Sequence, residues 1–286
     1  MLIELRAREA LRKQRFRQDT RIGQHFIFDG DVLSAIVREA AVQPGENVLE
    51  IGPGAGTLSA ALLEAGASLT AVEIDRVLQP VLEATLSPYR DFEIIYDDFL
   101  RVDLPALWAR RFGGSPPRVV ANLPYYITAD IVTLLLSCGL PVKAMCVMVQ
   151  EESAQRFCAL PGAKNYGVLA VLTQYRARLT MGMTLPPDVF EPRPHIDSTL
   201  LHIQPWPQPP VSPRDEAMFT KTVRAAFAMR RKTLVNNLCA AFGIPRGDAE
   251  AIVRSIGLSD QIRGERLGLE EFARLSDALT AYNIGT

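Results

Sequence analysis

Four consecutive residues, Asn122-Leu-Pro-Tyr125, are of types that could hold an aromatic amine for attack on an electrophile. Such an amine is a weak nucleophile, because its lone pair is delocalised into the ring. Two acceptors on its N–H groups would orient it and let the nitrogen pyramidalise as a new bond forms. The side-chain oxygen of Asn122 and the main-chain carbonyl of Leu123 can supply that pair. Pro124 stiffens the turn and steers Leu123 away from helical geometry, which aims its carbonyl. Tyr125 can stack on a base drawn out of its helix. Taken alone, the segment suits a structural Asn-Pro turn at least as well.

A glycine turn lies upstream, in Val48-Leu-Glu-Ile-Gly-Pro-Gly-Ala-Gly-Thr57. Gly52 and Gly54 let the backbone approach a ligand, and Gly56 permits close helix packing. The G-x-G-x-G spacing with Thr57 beyond it departs from the G-x-G-x-x-G dinucleotide fingerprint. Glu50 in front of the turn would repel a pyrophosphate but suits a ligand with a cationic amino-acid end. Glu73, 17 residues past Gly56, can accept from both hydroxyls of a ribose, and Asp98 can receive an adenine amino group. Each acid alone reads equally well as a solvated strand end. Together with the turn they point to a nucleoside, and Glu50 and Thr57 favour S-adenosylmethionine over NAD. A sulfonium is already an activated leaving group, so the chemistry calls for no metal, no nucleophilic side chain and no strong base. Positioning and preorganised electrostatics would supply the acceleration.

The elements that must carry these residues are legible as five short apolar runs, Asn47–Ile51, Leu69–Ile74, Phe92–Tyr96, Arg118–Ala121 and Ala144–Val149. None alternates cleanly with polar residues, as expected of strands buried on both faces of a parallel sheet. Helical patterns such as Gly56–Ala65 and Ala129–Ser137 separate them. The rhythm predicts a doubly wound α/β, Rossmann-like sheet with the three candidate ligand sites at the carboxyl ends of its strands. Leu179–Thr184 and Ser198–Gln204 read as two further strands, with a Pro-rich loop from Pro186 to Pro194 between them. A second Pro-rich stretch, Pro205 to Pro213, reads as a stiff linker. Beyond it Ala217–Phe227, Arg231–Phe242, Asp248–Ile256 and Leu269–Asn283 predict a small all-helical C-terminal domain. The expected division is a basic N-terminal arm over 1–24, a main domain over 25–207 and the helical domain over 214–286.

Net charge is only −1, but it is unevenly spread: +4 over residues 1–24, −7 over 25–213 and +2 over 214–286. Positive charge at the two ends of the chain could build a nucleic-acid surface, or simply solvated helix faces. The four cysteines show no zinc-ligand spacing and read as reduced thiols. The first twenty residues lack the apolar core of a secretory signal, and no run approaches the roughly 18 apolar residues of a membrane span. A cytoplasmic protein is expected.

Several of these segments, taken in order, resemble the small-subunit ribosomal RNA adenine N6-dimethyltransferase family over roughly residues 20–280. The resemblance is carried by Gly23-Gln-His-Phe-Ile27, Glu50-Ile-Gly-Pro-Gly54, Glu73-Ile-Asp75, Asp98, Asn122-Leu-Pro-Tyr125 and Gln150-Glu151. It continues through Tyr166-Gly167, Phe190-x-Pro-x-Pro194, Asp197-Ser198 and Phe227-x-x-Arg-Arg-Lys-Thr233. It implies dimethylation of two adjacent adenosines near the 3′ end of small-subunit (16S) rRNA, with S-adenosylmethionine as methyl donor and a part in small-subunit biogenesis. By the same resemblance His25, Ile27, Gly52, Glu73, Asp98 and Asn122 would touch the methyl donor, and Phe190 would face Tyr125 across the target base. His25 is a departure, since the family usually has Asn there.

Arg224, Arg230, Arg231 and Lys232 are the candidate RNA-binding cations, expected around the start of one helix with Arg224 and Arg231 on a shared face. Arg6 to Arg21 would be a basic arm or a frayed tail. The expected partner is rRNA or a small-subunit precursor particle, met by a monomer. Two alternatives compete: a large-subunit rRNA methylase of the antibiotic-resistance type, and a non-catalytic assembly factor that kept the fold. Tyr166-Gly167 and the Phe227 segment favour the small-subunit reading over the first, and Glu73, Asn122 and Tyr125 speak against the second.

Overall fold

A computed structural model describes residues 2–16 and 24–282. In chain order it contains α1 (Leu2–Lys13), β1 (Phe26–Ile27), α2 (Gly30–Glu39), β2 (Asn47–Ile51), α3 (Thr57–Glu64), β3 (Ser68–Glu73), α4 (Gln79–Leu86) and β4 (Phe92–Tyr96). Next come α5 (Leu104–Arg111), β5 (Arg118–Asn122), α6 (Thr128–Ser137), β6 (Ala144–Gln150), α7 (Glu151–Phe157), α8 (Val168–Arg176), β7 (Ala177–Leu185), β8 (Phe190–Glu191) and β9 (Ser198–Pro205). The last four helices are α9 (Glu216–Ala226), α10 (Leu234–Phe242), α11 (Arg246–Ser255) and α12 (Leu269–Ala281).

The main sheet has seven strands in the order β4-β3-β2-β5-β6-β9-β7. The five apolar runs form its parallel part, β4-β3-β2-β5-β6, and β9 joins β6 antiparallel. Neighbouring residues on a strand point to opposite faces. Val48 and Leu49 on β2, and Val119 and Val120 on β5, are all 0% exposed, so both faces of the sheet centre are covered. From β2 the chain winds outward to β3 and β4, then returns to β5 on the other side of β2. That reversal opens a crevice at the carboxyl ends of β2 and β5. The doubly wound α/β architecture is as the sequence predicts.

The described residues fall into two compact units, one running to Ala154 and including Arg178–Pro205, the other combining Gln155–Ala177 with the chain from Trp206 onward. Residues 155–177, read above as part of the main domain, thus belong to the helical unit. Their side chains explain it: Tyr166, Ala170, Val171 and Tyr175 pack in one cluster with Phe219, Val223 and Phe272. Tyr166 also donates its hydroxyl to the carbonyl of Leu267 at 2.7 Å. The start of the Pro-rich stretch is anchored there too, since the indole of Trp206 donates to the Gln174 carbonyl.

Two further readings change. Residues 2–13 are not a free arm. Ala7 and Ala10, three apart on α1, are buried with Phe26, Phe28, Leu78, Val81 and Leu82, so the helix lies against α3 and α4. The rest of the predicted arm, 17–23, and the end of the last predicted helix at Asn283 lie outside the described residues. In the second unit, α9 stops at Ala226 and α10 starts only after Thr233, whose side chain caps the Asn236 N–H. Arg224 therefore ends one helix while Arg230, Arg231 and Lys232 occupy the turn before the next, and no single helix face carries them.

Candidate active site

At the end of β2 the chain makes the turns Gly52 and Gly54, with φ of +72° and +58°, a region that disfavours any side chain. Gly54 is constrained twice. A Cβ there would come within 2.7 Å of the Phe26 ring, which packs against the turn. The Gly54 N–H donates to Glu73 Oε2 at 3.0 Å, and the Asp75 N–H donates to Glu73 Oε1 at 2.8 Å. The acid at the end of β3 thereby fastens the glycine turn at the end of β2. Glu73 is only 4% exposed, and burial pushes its carboxyl up despite the two N–H donors. Glu50 is buried more completely, at 1% exposure, with the Ser59 hydroxyl donating to it at 2.6 Å. Burial, opposed by Ser59 and reinforced by the charge of Glu73, moves its pKa up to about 8.

Phe26, Glu50, Gly54 and Glu73 line one cavity with Gln24, His25, Ile27, Gly52, Pro53, Ile74, Asn122 and Pro124. Of the residues expected to hold a nucleoside, His25, Ile27, Gly52, Glu73 and Asn122 are brought together. Asp98 is not among the cavity's lining residues. Its carboxylate caps the turn at Phe99–Arg101 by accepting from the Leu100 N–H at 3.0 Å.

Asn122 ends β5, at the lip of this cavity. Its Nδ2 donates to the His25 carbonyl at 2.8 Å, which leaves the Oδ1 end to meet a donor from outside. Leu123 is 1% exposed and is fixed by its N–H to the Met148 carbonyl. The Tyr125 hydroxyl bonds to Ser198 Oγ at 3.0 Å, so the ring is held from both ends, and burial raises its phenol pKa. The ring lying against Tyr125 is that of His25, with centroids 5.5 Å apart and planes at 22°. Phe190, expected opposite Tyr125, is instead 4% exposed and packed with Ile27, Leu33, Leu58 and Leu200. The cause is a small second sheet: β8 pairs antiparallel with β1, with Ile27 opposite Phe190 and Phe26 opposite Glu191. His25 Nδ1 bonds to the Pro192 carbonyl at 2.7 Å and extends that pairing.

Three contributors had no role assigned from sequence. Gln24, 8% exposed, donates from Nε2 to Asp75 at 2.9 Å and lines the cavity. Ser198 holds Tyr125, and the Pro192 carbonyl holds His25. Each sat inside a recognised motif, but the bonds run between segments 50 or more positions apart. Of the cations expected to meet RNA, Arg224, Arg231 and Lys232 are exposed in the second unit. Arg230, also exposed, donates to the Lys164 carbonyl at 2.8 Å and lies 3.5 Å from Glu265.

A doubly wound sheet with a cavity at its switch point that holds two buried acids, and an Asn-Leu-Pro-Tyr turn beside it, defines a Rossmann-like transferase. The chain belongs to the ribosomal RNA adenine dimethylase family, whose model matches residues 15–280. It is 42% identical over 280 residues to a ribosomal RNA small subunit methyltransferase A from a Geobacillus species, covering 96% of each chain. The protein of the same name from Lactococcus lactis is 40% identical over 277 residues, 96% of this chain and 94% of that one. Among solved structures, a dimethyladenosine transferase from Plasmodium falciparum superposes with a TM-score of 0.75 at 22% identity, over 91% of this chain and 99% of that one. The 23S rRNA methyltransferase ErmE does so with a TM-score of 0.66 at 24% identity, over 89% and 99%. At these identities the two structures speak for the fold.

Proposed function

We propose that this enzyme transfers methyl groups from S-adenosylmethionine to the N6 amines of two adjacent adenosines near the 3′ end of 16S rRNA, dimethylating each during small-subunit biogenesis. One observation carries the reading: Asn122 lines the cavity with its side-chain nitrogen committed to the His25 carbonyl, which reserves the amide oxygen for a donor. The small-subunit names of the 42% and 40% identical relatives favour that substrate over large-subunit rRNA. An inactive assembly factor would have no chemical need for an oriented Asn122.

The cavity fits the methyl donor on charge. Two buried carboxylates, Glu50 and Glu73, share one pocket, and a cationic nucleoside would offset the cost of ionising them there. Glu73 would take the ribose hydroxyls, Glu50 and the Gly52 main chain the amino-acid end, and Ile74 the adenine, with His25 and Ile27 closing the wall; the adenine amino group would have to reach beyond these lining residues to meet Asp98. When bound, the donor supplies a methyl group on an activated leaving group. The protein's own part is positioning: the Asn122 side-chain oxygen and the Leu123 carbonyl accept the amine's N–H groups, and Tyr125 carries the base. A purine stacking on Tyr125 takes the place that His25 now holds, and Phe190 faces it only after leaving its packing. Arg224, Arg230, Arg231 and Lys232 would meet phosphates of the rRNA or of a precursor particle. We place the reaction in the cytoplasm, with the enzyme acting as a monomer. Among the described residues no helix is long and apolar enough to cross a membrane.

The test is to incubate the protein with labelled S-adenosylmethionine and under-methylated small subunits and to map the product. Dimethyladenosine at two adjacent 16S positions is expected. Label confined to 23S rRNA, or none, overturns the proposal.

A further inference from the structure

The α1 helix is bonded to the same small sheet that walls the cavity. Arg8 Nη1 meets Glu191 Oε2 at 2.7 Å, and Arg8 Nε meets Glu4 Oε1 at 3.0 Å, one turn back on α1. The guanidinium also lies 4.0 Å from the centre of the Phe28 ring. Glu191 is on β8 directly opposite Phe26, and Phe28 follows β1 by one residue. A single side chain therefore clips α1 to β8 through a carboxylate and to the residue just after β1 through an aromatic face.

The contacts continue inward. Phe26 rests on the Gly54 turn, His25 and Ile27 line the cavity, and the His25 carbonyl orients Asn122. The Pro192 carbonyl, just past β8, holds the His25 ring against Tyr125. Below Arg8, Ala7 and Ala10 anchor α1 in the core, so the clip has a fixed base to act from.

The surroundings of Arg8 argue against a role on RNA. The surface cleft it lines also carries Glu4, Asp29, Asp31, Asp188 and Glu191. Asp188 is paired with Arg193, but the remaining four carboxylates still outnumber the Arg8 guanidinium and would repel a phosphate backbone.

We infer that Arg8 is a positioning residue: it holds the β1–β8 sheet closed over the methyl-donor cavity and so sets how long the donor stays bound. The inference rests on the donor site proposed above. With the clip removed, the sheet keeps its fold through backbone pairing but loses the tie that resists its opening.

The experiment measures S-adenosylmethionine affinity and dissociation rate for the full-length wild type, Arg8→Ala, Glu191→Gln and the charge-exchanged pair Arg8→Glu with Glu191→Arg. Arg8→Ala should raise Kd about five- to tenfold, through faster dissociation, as expected for losing an ion pair and a cation–π contact at a half-exposed site, and Glu191→Gln, which keeps the contact with Phe28, about two- to fivefold. The KM for the donor should rise by a similar factor, with kcat at saturation changed less than twofold. The exchanged pair should recover part of the loss. Affinity for 16S rRNA, and its dependence on salt, should match wild type. Unchanged donor affinity in Glu191→Gln and Arg8→Ala overturns the clip, as does a reduced salt slope for RNA in Arg8→Ala, which would make α1 an RNA contact. Failure of the wild type itself to bind S-adenosylmethionine sinks the donor site and the clip together.

Discussion

The side-chain nitrogen of Asn122 donates to the main-chain carbonyl of His25 at 2.8 Å, across 97 positions of sequence. An amide has one donor end and one acceptor end, so fixing the first decides where the second points. Asn122→Ala should slow methyl transfer by about 10²–10³, the usual effect of removing one preorganised polar partner of a reacting group. Asn122→Asp should not restore the rate, because the carboxylate cannot donate to the His25 carbonyl. Single-turnover methylation at saturating donor checks both, and rates equal to wild type would remove Asn122 from the chemistry.

Glu73 has structural work besides any ligand. Truncation to alanine would leave the buried Gly54 N–H and the half-buried Asp75 N–H without acceptors. A loss of roughly 2–4 kcal/mol is expected. Glu73→Gln keeps one acceptor and should lose about half as much. Urea unfolding of the three proteins measures it, and donor binding by calorimetry should fall in the same order. An alanine variant as stable as wild type would mean that the turn finds other partners.

The order of the site along the chain was legible because each of its acids and turns follows an apolar run, and apolar runs of that length fold as buried parallel strands. Glu50, Glu73 and Asn122 could be placed at strand ends on that ground alone. The β1–β8 sheet was not legible: two-residue strands leave no periodic trace, and Ile27 and Phe190 are 163 positions apart. That pairing buries Phe190 and puts His25 against Tyr125, so the packing around Tyr125 has a long-range cause. Residues 155–177 were misassigned for a similar reason. The apolar face of α8 announces a helix, but nothing local says whether Tyr166 will bond to Leu267 or pack on the sheet.

Glu50 should make both stability and ligand binding depend on pH. Its pKa rises from 4.5 in the unfolded chain to about 8 in the fold, so between those values the native state holds a proton that the unfolded state has released. Stability contributed by this group is complete below pH 4.5, declines as pH rises, by at most ~1.4 kcal/mol per unit, and is lost above the folded pKa. Glu50→Gln should flatten that decline, as unfolding curves at several pH values will reveal. A cationic ligand favours the ionised form, so its binding near neutral pH should release a proton and strengthen as pH rises toward 8. Calorimetry in buffers of different ionisation enthalpy reads the proton directly; no release in wild type would mean that Glu50 keeps one protonation state through binding and does not answer the ligand's charge.

The basic turn between α9 and α10 is shaped from inside the second unit. Asn237, 0% exposed, donates from Nδ2 to the Ala226 carbonyl at 2.8 Å and, more loosely, to the Met229 carbonyl at 3.4 Å. Gly264 presses on the same carbonyl, where a Cβ would come within 2.5 Å of the Ala226 oxygen. The turn thus has a defined shape, and its exposed cations should act differently. Arg231→Ala and Lys232→Ala should each weaken rRNA binding and reduce the slope of log affinity against log salt by about one phosphate contact. Thermal stability should hardly change in either. Arg230→Ala also cuts the bond to the Lys164 carbonyl, so it should lower the unfolding temperature as well as the affinity. Asn237→Leu removes no charge, yet it should lower affinity by loosening the turn while leaving donor binding in the first unit intact. Binding isotherms at three or more salt concentrations, paired with thermal melts, separate these effects, and an unaltered salt slope in all three cation variants would place the RNA surface elsewhere.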